Sequence, residues 1–129
     1  MEADSTPICL LDDDLPVLKA NSRLLVSAGW DVQGFRDPAA FLEYARTNKP
    51  ALAVIDMMMP EMDGLEVQSM LREVSPTTRV IILTSNDDPE IETAAVEAGV
   101  FAFFFKPADP DKFLVSVESA IKSESHSIS

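Results

Sequence analysis

Five apolar runs of strand length, each followed by a segment with a helical apolar period, constrain the fold of this chain more than any other feature. The runs are Ile8 to Leu11, Trp30 to Phe35, Ala51 to Ile55, Arg79 to Leu83 and Val100 to Phe105. After the first run, Val17, Leu18, Leu24, Leu25 and Ala28 recur near the helical period of about 3.6 residues. Leu65, Met70, Leu71 and Val74 do the same after the third, and Phe113, Leu114, Val117 and Ile121 after the fifth. Asp precedes Pro at Asp37-Pro38, Asp88-Pro89 and Asp109-Pro110. That pair opens helices, because Asp caps free N–H groups and Pro lacks the donor that the first turn would leave unused. Gly29 and Gly99 sit where the first and fourth helices should stop. Near-continuous apolar strands such as Val80-Ile81-Ile82-Leu83 suit a parallel sheet covered on both faces. The expected fold is α/β, a doubly wound five-stranded parallel sheet with five helices. The 129 residues make one domain over 1–122, with the Ser-rich 123–129 as a disordered tail or linker stub.

Charge and composition exclude several functions. A formal net charge of −12 disfavours direct binding to nucleic acid and to anionic membrane, which both depend on clustered Lys and Arg. No run approaches the roughly 18 apolar residues of a membrane span. The start Met1-Glu2-Ala3-Asp4 lacks a basic, apolar leader, so the expected location is the cytoplasm. The single cysteine, Cys9, lies within an apolar run and reads as a buried small hydrophobe. Trp30 is expected at the amino end of the second strand, far from any site at the carboxyl ends.

In an open parallel sheet, ligands bind beyond the carboxyl ends of the strands, where the strand order reverses. The first strand there runs into Asp12, Asp13 and Asp14, the third into Asp56, the fourth into Thr84 and Ser85, and the fifth into Lys106-Pro107. Two carboxylates brought to 4 Å repel by about 4 kcal/mol at an effective dielectric near 20. A hard divalent cation relieves that repulsion, and Mg²⁺ takes carboxylates, waters and phosphate oxygens together. Lys106 adds a point charge for a carboxylate or phosphoryl oxygen, and Thr84 adds a hydroxyl donor. Asp56 between metal and lysine is a nucleophile suited to phosphorus, forming an acyl phosphate. Asp14 reads as a helix cap alone.

The segments ICLLDDD, LAVIDMMMPEMDG, VIILTS and FFFKP resemble, in order and spacing, the four signature blocks of the response-regulator receiver domain of two-component signalling, across about Pro7 to Lys122. The resemblance implies the flavodoxin-like strand order 2-1-3-4-5. It makes Asp56 the phosphoryl acceptor and Asp12 and Asp13 the acidic pair for Mg²⁺, with Mn²⁺ as a substitute. Asp13 would ligate directly, Asp12 through water, and Met58 through its backbone carbonyl. Thr84 becomes the switch hydroxyl, Lys106 the lysine before a cis Pro107, and Phe103 the aromatic that swings inward when Thr84 moves. Met58 and Asn86 occupy the positions that tune attack by water. The implied donor is a sensor histidine kinase or phosphotransfer protein. The implied output face is the fourth helix, fifth strand and fifth helix, open to a second copy of the chain or to an output domain. A conventional enzyme is not expected, only self-catalysed transfer to Asp56 and its reversal by hydrolysis.

Other readings compete with these. Phe103 stands where tyrosine is frequent in the family and also reads as packing, since alternation puts it on one strand face with Phe105. Met57, Met58 and Met59 resemble a soft-metal site, but the neighbouring carboxylates favour Mg²⁺ and leave the thioethers to packing. An aspartyl-phosphate hydrolase would carry a second Asp where Met58 stands. A flavoprotein would need a hydroxyl-rich phosphate loop where Asp12 to Pro16 lies. A phosphorylation-independent interaction module keeps the same fold without the chemistry. His126, the one histidine, falls in the tail and is not expected to act as a phosphodonor.

Overall fold

The computed structural model describes the backbone of residues 7–126 and the side chains of 7–122. Strands and helices alternate as β1 (Ile8–Leu11), α1 (Leu15–Ser27), β2 (Val32–Phe35), α2 (Pro38–Asn48), β3 (Leu52–Asp56), α3 (Gly64–Val74), β4 (Arg79–Thr84), α4 (Pro89–Glu97), β5 (Ala102–Phe105) and α5 (Pro110–His126). All neighbouring strands run parallel, in the order β2-β1-β3-β4-β5. The expected fold and strand order are therefore observed.

Strand alternation divides the core into two layers. Cys9, Leu11, Ala53, Ile55, Val80 and Ile82 meet Phe41, Leu42 and Ala45 of α2 and Val67 and Leu71 of α3. On the other side, Leu10, Leu52, Val54, Ile81 and Leu83 meet Leu18 and Leu25 of α1 and Phe113, Val117 and Ala120 of α5. The three central strands are buried on both faces, as the continuous apolar runs require. The edge strands β2 and β5 are only half-buried or exposed, since each has a neighbour on one side alone.

Asp residues open every helix. Asp14, Asp37, Asp63 and Asp88 each accept a hydrogen bond from a first-turn N–H. Asp109 accepts from the N–H groups of Asp111 and Lys112 at 2.9 and 3.2 Å. Asp63 and Glu66 cap reciprocally, with Gly64 rather than a proline opening the helix.

Two strands, β2 and β5, start two residues later than their apolar runs. After α1 and α4, Gly29 (φ 99°) and Gly99 (φ 85°) adopt left-handed backbone. The next N–H then folds back onto the helix, Trp30 onto the Leu25 carbonyl at 3.1 Å and Val100 onto the Ala95 carbonyl at 3.2 Å. Trp30 and Val100 thus belong to helix-ending motifs, in which an apolar residue after the glycine closes over the last turn. Their hydrophobicity serves the helix end, and Trp30 lies two residues before β2, at the amino end of the sheet. α5 is assigned through His126, into the stretch read as a tail; the remaining residues, 127–129, and the His126 side chain lie outside the described set. Among the described residues, no helix is long and apolar enough to cross a membrane.

Candidate phosphoryl and metal site

The site stands where the strand order reverses. Leu11 of β1 is in register with Ile55 of β3, so the next residues, Asp12 and Asp56, emerge side by side. Both are almost fully buried, at 4% and 5% exposure. The Asp12 N–H donates to the Phe35 carbonyl at 3.1 Å, and its Oδ1 accepts from the Asp14 N–H at 2.9 Å. Asp14 also caps α1 through Val17 at 3.3 Å, in keeping with its reading as a cap.

Lys106 follows β5, and its own N–H donates to the Thr84 carbonyl at 2.7 Å. From there its ammonium reaches Asp56 Oδ1 at 2.9 Å and Asp12 Oδ2 at 3.1 Å. The Lys106-Pro107 bond is cis, as expected from the sequence. Asp12, Asp13 and Asp56 each offer a carboxylate oxygen within 4.8 Å of the others. One ammonium cannot neutralise three carboxylates. Burial, joined by repulsion from Asp12, raises the Asp56 carboxyl above its ordinary range despite opposing hydrogen bonds from Lys106 and the Met58 backbone. Burial alone would lower the Lys106 ammonium, but hydrogen bonds to Asp56 and Asp12 outweigh it and hold the group protonated above its ordinary range. An all-oxygen, charge-deficient cluster of this kind fits a hard divalent cation such as Mg²⁺ or Mn²⁺.

The remaining residues lie around this centre. Thr84 ends β4 with no exposed surface, and its Oγ1 accepts from the Asn86 N–H at 3.0 Å. Asn86 Oδ1 in turn accepts from the Asp88 N–H at 3.0 Å, at the start of α4. Phe103 is half-buried beside the α2–α3 core layer, and its ring meets Phe105 edge-on at 5.5 Å, as strand alternation predicts. Met57 is buried and Met59 packs against the same layer, whereas Met58 is 47% exposed in the loop. The methionine run therefore splits between core and surface.

Two supporting residues escape the sequence reading. Arg36 donates through Nη2 to the Asp13 carbonyl at 3.2 Å, tying down the acidic loop. Its signal is register: Phe35 pairs with Leu11, so the next residue on β2 neighbours the acidic loop. Gly64 opens α3 against the end of β3, its N–H donating to the Met57 carbonyl at 2.9 Å. A Cβ at Gly64 would stand 3.0 Å from both the Asp56 carbonyl oxygen and Met57 Cα.

A buried acid pair, a lysine and a hydroxyl thus stand together at the switch point of a doubly wound sheet, where such folds bind their ligands. The chain belongs to the response regulator receiver domain family, whose pattern it matches over residues 8–118. It is 33% identical over 122 residues to the response regulator protein TodT of Pseudomonas putida, covering 95% of this chain and 54% of TodT. It is also 33% identical over 115 residues to the transcriptional regulatory protein GlrR of Escherichia coli, covering 89% of this chain and 26% of GlrR. The chain thus spans from about a quarter to about half the length of these relatives. Among solved structures, a BeF3-activated DrrB receiver domain superposes with a TM-score of 0.81 at 32% identity, over 90% of this chain and 97% of that one. A CheY-like receiver domain from Methanospirillum hungatei reaches 0.88 at 22% identity, over 95% and 98% of the two chains, and shares the fold.

Proposed function

We propose that this receiver domain is a phosphoryl-accepting switch with Asp56 as the acceptor. The observation that carries the reading is the convergence of Asp12, Asp13 and Asp56 with the Lys106 ammonium, which touches two of the three carboxylates. In the transfer, an Asp56 carboxylate oxygen bonds to phosphorus while the bond from phosphorus to a kinase's histidine nitrogen, or to a small acyl donor's oxygen, breaks. Water later attacks the acyl phosphate, returning Asp56 and inorganic phosphate. Asp12, Asp13, Asp56 and the Met58 carbonyl would hold a divalent cation, which would supply positive charge to the transferring oxygens. Lys106 stabilises charge on the same oxygens from the β5 side and needs no protonation change to do so. Arg36 and the Asp14 N–H keep the acidic loop oriented.

The phosphoryl group adds between one and two negative charges. Thr84 Oγ1, which now only accepts from Asn86, has a proton to donate to it. Its turn inward vacates space toward Phe103, which abandons the Phe105 ring and moves in. Driving such an equilibrium from 1:99 to 99:1 takes about 5.5 kcal/mol, within reach of a few charge-assisted hydrogen bonds. The face that changes is α4, β5 and α5, and its partner is a second copy or an output domain. The receiver unit is assigned to 1–122, and the domain works in the cytoplasm beside its kinase.

Phosphate-affinity electrophoresis after incubation with acetyl phosphate and Mg²⁺ tests the reading. A retarded band is expected, absent from Asp56→Asn and absent when Mg²⁺ is chelated. If neither acetyl phosphate nor a phosphohistidine donor retards the wild-type chain, the phosphorylation-independent module takes its place.

A further inference from the structure

One sulfur-bearing side chain is both open to solvent and anchored at the site. Met58 lies in the loop between β3 and α3, two residues after Asp56. Its backbone N–H donates to the Asp56 carboxylate. A hydrogen bond of ordinary length places the Met58 Cα within roughly 5 Å of that carboxylate oxygen. The side chain that starts there has three rotatable bonds and is 47% exposed. Its thioether is therefore open to solvent while its backbone is held against the acceptor.

The other sulfurs differ. Met57 is 6% exposed, and Met59 and Met62 pack against the α2–α3 core layer. Cys9 has no exposed surface, and burial pushes its thiol up to about 12, so it offers an oxidant neither access nor a thiolate. Among the described residues only Met70 of α3 matches Met58, also at 47%. Met70 sits six residues beyond Gly64, about 9 Å along the helix from its start beside Asp56. A peroxide thus meets two comparable thioethers, one at the site and one away from it.

We propose that Met58 is a peroxide-sensitive control on the cation affinity of this site, tightening it when the thioether becomes a sulfoxide. The inference rests on the reading of Asp12, Asp13 and Asp56 as a cation site. In the reaction, a lone pair on Met58 Sδ attacks one oxygen of a hydroperoxide, the O–O bond breaks and an S–O bond forms. Sulfur gives up two electrons, and the proton of the attacked oxygen passes to the other, which leaves as water or an alcohol. A thioether is a soft, weak acceptor that does not suit a hard cation. The sulfoxide is polar, and its oxygen can accept from the waters that Mg²⁺ keeps. It does so without adding a fourth charge to the carboxylate cluster. Enzymatic reduction, in which two thiols become a disulfide and the oxygen leaves as water, restores the thioether.

Hydrogen peroxide treatment of the full ¹⁵N-labelled chain, followed by peptide mass spectrometry and by Mg²⁺ titration of the amide shifts at Asp12, Asp13 and Asp56, tests the proposal. Met58 and Met70 should each gain one oxygen well before Met57 does. The Mg²⁺ affinity should then rise about threefold to tenfold, the effect of one added acceptor. Met70→Leu should show the same rise, and Met58→Leu none, whatever its own starting affinity. Methionine sulfoxide reductase should return the treated wild-type chain to its starting affinity. Met58 left unoxidised while Met70 reacts would overturn the proposal, as would an affinity that stays level or falls once Met58 is oxidised. So would a rise that persists in Met58→Leu or that the reductase does not reverse. In each of these cases the untreated chain still binds Mg²⁺; no saturable shift in the untreated chain would sink the reading of the site itself, and this proposal with it.

Discussion

The two ends of the sheet carry opposite electrostatic problems. At the carboxyl end, three carboxylates from β1 and β3 share one ammonium, and Asp12 and Asp56 are buried while they do so. At the amino end, two guanidiniums and a buried glutamine surround a cavity without a carboxylate in its walls. A net charge of −12 describes neither place. It disfavours partners that need a broad basic surface, but an individual site answers to the few charges within a Debye length, about 8–10 Å. Acid is concentrated at the carboxyl end, where Asp12, Asp13 and Asp56 meet, and is absent from the walls of the amino-end cavity.

The sharpest way to break this contrast is to remove the one cation at the carboxyl end. Lys106→Met leaves Asp12 and Asp56 buried without their partner and should cost about 3–5 kcal/mol by urea unfolding at pH 8. Losing the Lys106 hydrogen bond also raises the Asp56 carboxyl further. A carboxyl raised in the native state contributes stability that is present below the ordinary carboxylate range and lost as pH climbs through the raised value. The deficit of Lys106→Met should therefore shrink as pH falls toward that range, and a pH-independent deficit would show that packing, not charge, is lost.

Gly64→Ala attacks the same end through geometry. The added Cβ meets backbone at 3.0 Å on both the Asp56 and Met57 sides, which cannot swing aside as a flexible side chain would. A loss of about 1–3 kcal/mol is expected, outweighing the better helix propensity of alanine, together with slower phosphorylation by acetyl phosphate. Unchanged stability would mean that the start of α3 yields without disturbing Asp56.

Asp56→Asn should move stability the other way. Removing one of three crowded charges, and the one whose ionisation burial already opposes, should stabilise the metal-free chain by about 1–2 kcal/mol at neutral pH. The same substitution should reduce the rise in Tm that Mg²⁺ produces in the wild-type chain. A destabilised Asp56→Asn would show instead that Lys106 needs both carboxylates more than the carboxylates need relief from one another.

Cys9, within β1 between the two ends, gives the smallest effect and the cleanest control. It has no exposed surface, and burial pushes its thiol up to about 12. Its contribution to stability stays whole below the ordinary thiol range and is lost as pH rises from there to about 12. Thiol reagents at neutral pH should not modify the native wild-type chain on the timescale on which they modify the unfolded chain. Rapid native labelling would mean that the core opens between the two ends.

Much of this was legible before any coordinates. Period and burial agree for the central strands because a strand covered on both faces must be apolar at every position, and Asp-Pro pairs mark helix starts because both residues act within one turn. Asp12, Asp13, Asp56, Thr84 and Lys106 could be named because each ends a strand or directly follows one, and strand ends meet at one rim in a parallel sheet. Hydrophobicity alone places Trp30 and Val100 in strands, because it does not distinguish a strand's first residue from the apolar lid of a glycine-ended helix. Arg36 and Gly64 went unnoticed because their roles exist only across pairs distant in sequence, a register in one case and a close approach in the other.

The amino-acid sequence by itself determined the alternation of elements, the caps that start and stop them, and the acid, hydroxyl and cation inventory of the carboxyl rim, because these depend on neighbours a few residues away. Tertiary structure alone decided that one lysine serves two carboxylates, that Phe103 lies edge-on to Phe105, and that Gln68 Oε1 and Arg79 Nε are buried without a partner among the described residues. Those are matters of distances of a few ångströms between groups carried on separate elements, and packing sets such distances.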